Sequence, residues 1–350
     1  MFSLNPSLQS YSWGSKTLIA DLRGEESPTQ HPQAELWYGA HPAAPADIAG
    51  VPLTDIIAAD PDRELGAAVR ARFGDRLPFL LKILAVAEPL SLQAHPSLAQ
   101  AQEGFQRENA QGIDVRAGNR NYRDDNHKPE LIVALTPFHA MAGFRPLAAT
   151  LELFAALDCP SLARYVGMID STGEEAVNLR MLFTTWITIP AAVRKQLIDD
   201  IIVAAKRVVA EGSAAEWQRE LDTHYPGDVG VLGALLLNYV RLEPGEGIYL
   251  DAGNLHAYCR GLGVEVMANS DNVLRGGLTA KHVDVPELAR VLRFTSLVNP
   301  RTSNDTGWFE VPVEEFDMRM VTATEESPWS AQIPGPRVVL CTAGHVTVTV

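Results

Sequence analysis

The sequence predicts a mainly β protein, a sandwich or barrel of short strands interrupted by a helical segment. Three observations lead there. Short apolar runs bounded by Pro, Gly, Asn and Asp recur up to about residue 145 and again from about residue 243, several with the two-residue alternation of half-buried strands. Between them the apolar residues are spaced by three and four, the mark of helices. Polar residues able to bind metal or move protons cluster at strand ends far apart in the chain, as happens where a sandwich or barrel gathers a site from converging strands.

With 350 residues, 46% hydrophobic and 21% charged, the chain has the composition of an ordinary globular protein. It is long enough for two or three units whose cores need no disulfide or metal staple. The net charge of −14 argues against nucleic acid or an anionic membrane as partner, and an anionic substrate would need a local basic pocket. Cys159, Cys259 and Cys341 are far apart, so neither a disulfide framework nor a thiolate zinc cluster is expected, and a reducing cytoplasm fits. The N-terminus lacks the basic and apolar regions of a signal peptide, and no long apolar run occurs. Neither export nor membrane spanning is expected.

Taken in order, residues 1–60 read as short strands and turns, including Tyr11–Gly14 and Ala34–Gly39, with Glu35 and Trp37 on one strand face. Leu53–Phe73 has helical spacing broken at Pro61. Leu77–Val86 is almost continuously apolar, a strand buried on both faces with Lys82 as the exception. In Pro89-Leu-Ser-Leu-Gln-Ala-His-Pro96, Ser91, Gln93 and His95 share one face, and Leu90, Leu92 and Ala94 the other. The plain alternative is a buried histidine satisfied by a backbone carbonyl. Ser97 opens a solvent-exposed helix over Leu98–Asn109, and residues 110–127 form a long polar loop.

That loop ends in Tyr122-Arg-Asp-Asp-Asn-His-Lys-Pro-Glu130, where Pro129 marks the entry of a strand and Lys128 and Glu130 share a face. A surface ion pair is the alternative there. Helices are predicted over Leu147–Leu157, Val177–Ile187, Ala191–Val209 and Val229–Tyr239. Strands resume at Ile248–Leu250 and, after a tight turn, at Leu255–Tyr258; Gly263–Asn269 then alternates, with Glu265 and Met267 on one face. Asn269–Gly277 reads as a polar loop whose Gly276 and Gly277 let the backbone approach a ligand. A helix from Asp284, a linker over Asn299–Gly307 and strands running into Ala343–Val350 complete the chain, which stops in mid-strand.

Gln93, His95, Glu130 and His256 make a nitrogen and oxygen set without sulfur, suited to a divalent metal such as zinc with room for water or substrate. Lys128, Arg275 and Lys281 lie on the same strands and loops, with Glu265, Asp271 and His127. Cations concentrated there in so acidic a chain point to an anionic substrate, unless each is simply a surface loop cation.

Ser91-Leu-Gln-Ala-His-Pro96, the Tyr122–Glu130 segment, Gly253-Asn-Leu-His-Ala-Tyr258 and Asn269-Ser-Asp-Asn-Val-Leu-Arg-Gly-Gly-Leu-Thr279 closely resemble the signatures of type I phosphomannose isomerases, metal-dependent members of the cupin superfamily. The likeness runs from the N-terminus to about residue 320. It implies a cupin-type jelly roll formed by residues 1–146 with 241–298, a mostly α-helical insertion over 147–240, and a C-terminal β domain from 299 that family members carry further. It implies one zinc ion per chain on Gln93, His95, Glu130 and His256, and a pocket lined by Trp13, Glu35, Ser91, Lys128, Tyr258, Glu265, Asp271, Arg275 and Lys281. The implied reaction interconverts mannose 6-phosphate and fructose 6-phosphate.

For that chemistry Arg275 is expected to stabilise the enediolate or position the substrate, and Glu265, His127 and Lys128 are the candidates for the shuttling base. The phosphate is expected at Lys281, Ser91 or the Gly276–Gly277 turn. The expected partner is thus a small sugar phosphate, met by a cytoplasmic monomer. The alternative is a metal-binding cupin of another class, an iron oxygenase or a non-catalytic sugar-phosphate binder.

Overall fold

A computed structural model describes residues 1–207, 214–302 and 307–349. The chain is a mixed α and β protein built on one large antiparallel sheet of eleven strands. In chain order these are β1 (Ser7–Gln9), β2 (Glu35–Tyr38), β3 (Phe79–Val86), β4 (Leu92–Ala94), β5 (Glu130–Ala134), β6 (Phe138–Phe144), β7 (Leu237–Leu242), β8 (Gly247–Leu250), β9 (His256–Ala268), β10 (Leu274–Gly277) and β11 (Arg301–Thr302). One layer has the order β1-β2-β3-β9-β5-β8-β11, and the other carries β10, β4, β9, β6 and β7.

Strand β9 belongs to both layers. Its first residues pair with β4 and β6, its later ones with β3 and β5. The register shifts between Tyr258 and Arg260, and Gly261 has φ 124°, a conformation that favours glycine. Here the structure corrects the sequence reading, which placed separate strands at Leu255–Tyr258 and Gly263–Asn269. They are one strand with a bulge between its two halves.

Alternation sorts the side chains into two faces of each layer. Ile83, Leu81, Leu131, Val133, Val264 and Val266 point outward, where Ile19 of the helix Leu18–Arg23, Phe309 and Phe316 cover them. Inward, Leu84, Val86, Ile132, Ala134, Ile248 and Leu250 meet Phe138, Ala140, Ala142, Val240, Leu242 and Tyr258 of the second layer. The outer face of the second layer, including Leu92, Ala94, Ala257 and Leu274, is buried under Leu179, Leu182, Phe183, Trp186, Val231 and Leu232. The helices Leu147–Leu157, Glu175–Ile187 and Ala191–Ala205 appear where the spacing predicts them, and Val209 lies outside the described residues. Among the described residues, no single helix is long and apolar enough to cross a membrane.

Further readings are corrected. Val229–Tyr239 is helical only over Val229–Ala234, and β7 follows, because Tyr239 and Val240 pair with Met141 and Ala140; β pairing outweighs local spacing there. Asn269–Gly277 is a loop only at its start, since Leu274–Gly277 pairs with β4. Tyr11–Gly14, by contrast, is a turn, as the reading of short strands and turns there allows. The helix Leu98–Ala110, held by the Ser97–Gln100 capping box, buries Ala101, Gly104 and Glu108 on one side. The expected linker contributes β11, with residues 303–306 outside the described ones. No described residue beyond Arg319 is in a strand: the alternation ending the sequence meets no neighbouring ladder, and a strand's backbone groups need one.

Candidate metal and sugar-phosphate site

Three strand ends bring His95, Glu130 and His256 together, with ligand atoms within 4.8 Å of one another and all three side chains buried. His95 directly follows β4, and its carbonyl accepts from Gly253 N (2.9 Å) just before β9 begins with His256. Glu130 is the first residue of β5. Gln93 is the register partner of both His256 and Arg275, so the three form one row across β9, β4 and β10 on the inward face.

The hydrogen bonds fix the chemistry of both imidazoles. His95 Nδ1 lies 2.7 Å from the carbonyl oxygen of Asn272, and His256 Nδ1 lies 3.0 Å from that of Asn254. A carbonyl only accepts, so each Nδ1 carries a proton and each ring turns its Nε2, the remaining ligand atom, inward. Burial, helped by Lys128, pushes the His95 imidazole down to about 4, which keeps it neutral. Each Nε2 is 3.3 Å from a different oxygen of Glu130, and neither has a hydrogen-bond partner. Lone pairs facing a carboxylate in a buried space repel unless a cation lies among them. The donor set therefore fits a metal ion, and each Nδ1–H bond is the outer contact that usually orients a histidine ligand.

Charged groups surround this triad. Lys128 Nζ is 2.5 Å from Glu130 Oε1, and Tyr258 Oη donates to Glu130 Oε2 at 3.4 Å. Burial opposes the charge of Glu130, but the Lys128 ammonium outweighs it and holds the carboxyl well below its ordinary range. Burial, with Glu130 and Glu265, raises the Tyr258 phenol well above its ordinary value. On the adjoining strands Trp37, Lys82, Glu265 and Ile132 are successive register partners. Lys82 Nζ is 3.2 Å from Glu265 Oε2 and 5.1 Å from the Trp37 ring centroid, and Trp37 Nε1 donates to Glu35 Oε2 at 2.5 Å. Burial favours neutral Lys82, yet Glu35, Glu265 and Glu130 together raise its pKa. Burial, with Glu130 and Glu35, raises the carboxyl of Glu265.

A second charged group lies at the rim. Burial and then Arg123 lower the pKa of Arg275; burial, Arg275 and Arg123 lower that of Lys281. Among the described residues no carboxylate forms a salt bridge with Arg275 or Lys281, and Arg123 acts on Asp271 only at longer range; an anion would relieve the repulsion among the three cations. His41 Nδ1 accepts from Ala43 N (3.2 Å), so its Nε2–H faces Asp271 Oδ1 at 3.3 Å.

Residues 1–147 match the family described as phosphomannose isomerase type I, catalytic domain. The mannose-6-phosphate isomerase of Escherichia coli (strain K12) is 38% identical over 363 residues, which cover 99% of this chain and 90% of that protein. The chain belongs to the type I phosphomannose isomerase family. Its human relative, also named mannose-6-phosphate isomerase, is 34% identical over 334 residues, covering 87% of this chain and 75% of the relative. A zinc-bound crystal structure of mannose 6-phosphate isomerase superimposes with a TM-score of 0.81 at 40% identity, over 90% of this chain and 81% of that one. The apo form from Salmonella typhimurium gives 0.83 at 39% identity, over 91% and 82%.

Within this family member the expected residues divide. His95, Glu130, His256, Lys128 and Tyr258 are in direct contact or near it, and Glu35 and Glu265 join them through Lys82 and Trp37. Trp13 is half-buried against the inner core and stacks on Tyr11, and Ser91 is half-buried beside β4. His127 is engaged elsewhere, its Nε2 2.6 Å from Glu315 Oε1.

Gly276 and Gly277 do not open the backbone to a ligand. A Cβ on Gly277 would lie 2.5 Å from Gly230 N, and one on Gly276 would meet Leu255 and Leu288. They are glycines because a helix packs against the strand there. Lys82, Trp37, His41 and Arg123 were not among the expected site residues. The signal for Lys82 was its isolation in an apolar strand.

Proposed function

We propose that the chain is a zinc-dependent isomerase that interconverts mannose 6-phosphate and fructose 6-phosphate through an enediol. The observation carrying this is the pair of buried imidazole Nε2 atoms converging on Glu130 without a hydrogen-bond partner, in a chain whose relatives bear that activity in their names. Gln93, His95, Glu130 and His256 hold one zinc ion per chain. When bound, zinc supplies Lewis-acid polarisation of the sugar oxygens.

The remaining roles fall to the chain's own side chains. Arg275, in the same row as Gln93 and His256, stabilises the negative charge of the enediolate or positions the sugar. With Arg123 and Lys281 it makes the cationic rim that takes the phosphate. Glu265 or Lys128 takes the proton from one carbon and returns it to the next; His127 is committed to Glu315. Trp13, Glu35, Ser91, Tyr258 and Asp271 line the sugar pocket. The two-layer sheet is a cupin-type jelly roll of residues 1–146 and 241–298, with 147–240 inserted as a helical domain, followed from 299 by a C-terminal segment that holds β11 and the strand pair Trp308–Phe309 with Met318–Arg319. The protein works as a cytoplasmic monomer on a small sugar phosphate, without nucleic acid or membrane.

A coupled assay that follows mannose 6-phosphate before and after chelation tests the reading. Turnover that chelation abolishes and zinc restores is expected. No isomerisation at any zinc level would refute it, and oxygen uptake with bound iron would move the chain to an oxygenase class.

A further inference from the structure

We infer that Asn272 is a positioning residue that ties the metal ligand His95 and the rim cation Arg123 into one register. The inference rests on the metal and phosphate reading above. Its physical basis is that one fully buried residue contacts both structures through different groups. The main-chain carbonyl accepts the His95 Nδ1 proton at 2.7 Å and so sets the tautomer that directs Nε2 inward. The side chain grips the segment that carries Arg123. Oδ1 accepts from the backbone N–H of Arg123 (2.7 Å) and of Asp124 (3.3 Å), while Nδ2 donates to the carbonyls of Asp124 (2.9 Å) and Asn126 (2.8 Å) and to Asp124 Oδ1 (3.2 Å).

An amide is the side chain that can do this, because it accepts and donates from adjacent atoms. Aspartate in its place would turn an oxygen toward two carbonyls and the Asp124 carboxylate. Asp124 closes the knot from the other side. It accepts from Ser270 Oγ (2.7 Å), from Asn126 N (3.0 Å) and, through Oδ2, from Asp271 N (2.7 Å). The two loops are thereby locked together immediately before Arg275 on one side and Lys128 on the other. A shift of the Arg123 segment must then move the carbonyl that orients His95, so metal affinity and anion affinity are linked through this residue.

The test measures zinc affinity by chelator competition and inorganic phosphate binding by calorimetry, with and without zinc, in the full chain. Arg123→Ala should weaken phosphate on the order of tenfold, as expected for a lost charged contact, and keep zinc affinity. Asn272→Ala keeps the carbonyl that His95 bonds but removes the side-chain bonds that hold it in place, so zinc should weaken by up to about 10–100-fold, the range for a lost outer contact, and phosphate with it. Cobalt-substituted Asn272→Ala should also show a shifted ligand-field spectrum.

A folded Asn272→Ala that binds both ligands as the wild type does, or changes only in melting temperature, would overturn the proposal. If Asn272→Ala does not fold, Asp124→Asn gives the same readout. It sets an amide N–H against a donor at one end, and paired losses support the link whereas unchanged affinities overturn it. Wild-type protein that binds neither zinc nor phosphate would overturn the underlying site reading, and the link with it.

Discussion

The two ends of the space between the sheet layers are built from the same strands by the same alternation, yet they do opposite things. At the closed end β3, β5 and β8 turn Leu84, Val86, Ile132, Ala134 and Ile248 inward against Phe138, Val240 and Leu242. At the other end the next inward positions of β3, β5 and β9 are Lys82, Glu130 and Glu265, with His95 and His256 arriving from the second layer. One end loses apolar surface to stabilise the fold, and the other concentrates charge that burial makes costly. The buried charge is thus confined to the part of the inward face where the apolar pattern stops, next to the packed end.

Three substitutions would sharpen or break this contrast. The largest effect is expected from Glu130→Ala. It removes the only carboxylate of the triad, so zinc content should fall to background and kcat/KM by more than about a thousandfold, while the melting curve stays cooperative. Retained zinc with wild-type turnover would erase the distinction between the ends.

Lys82→Met should come next. It leaves the buried carboxyl of Glu265 without its cation, and breaking a buried pair typically costs about 3–5 kcal/mol. The sign follows from the raised carboxyl: it holds its proton in the folded state above pH values at which the unfolded chain has released it. The variant's stability should therefore fall as pH rises from the ordinary carboxylate value of 4.5. Denaturant unfolding between mild acid and neutral pH checks this, and a pH-independent deficit would show that Lys82 acts through packing alone.

Leu242→Ala, at the fully buried closed end, should cost about 2–5 kcal/mol of stability and leave zinc affinity and KM unchanged in the folded protein. Loss of zinc in that variant would mean the two ends are not separable.

The contrast also explains what could be read from the sequence alone. The proposed metal residues are legible because each sits in a short local pattern: two polar positions on one strand face at Gln93 and His95, a proline-marked strand entry at Glu130, a turn followed by His256. Lys82 was visible as an anomaly but not as a site residue, because its meaning depends on Glu265 standing opposite it across a distant strand pairing. Arg123 lies in a loop without periodicity and is placed by hydrogen bonds to Asn272. Gly276 and Gly277 were misread because glycines beside an arginine look the same in sequence whether a ligand or a helix approaches them; the close contact with Gly230 settles it. His127 shares the Lys128 motif, yet the partner that occupies it, Glu315, comes from a remote segment.

The central claim is that two inward-facing Nε2 atoms and Glu130 enclose a metal. Diffraction from zinc-loaded crystals on both sides of the zinc absorption edge tests it most directly. We predict one anomalous peak per chain among His95 Nε2, His256 Nε2 and Glu130, with Gln93 at its edge. An active, zinc-containing crystal with its only anomalous peak elsewhere would contradict the account.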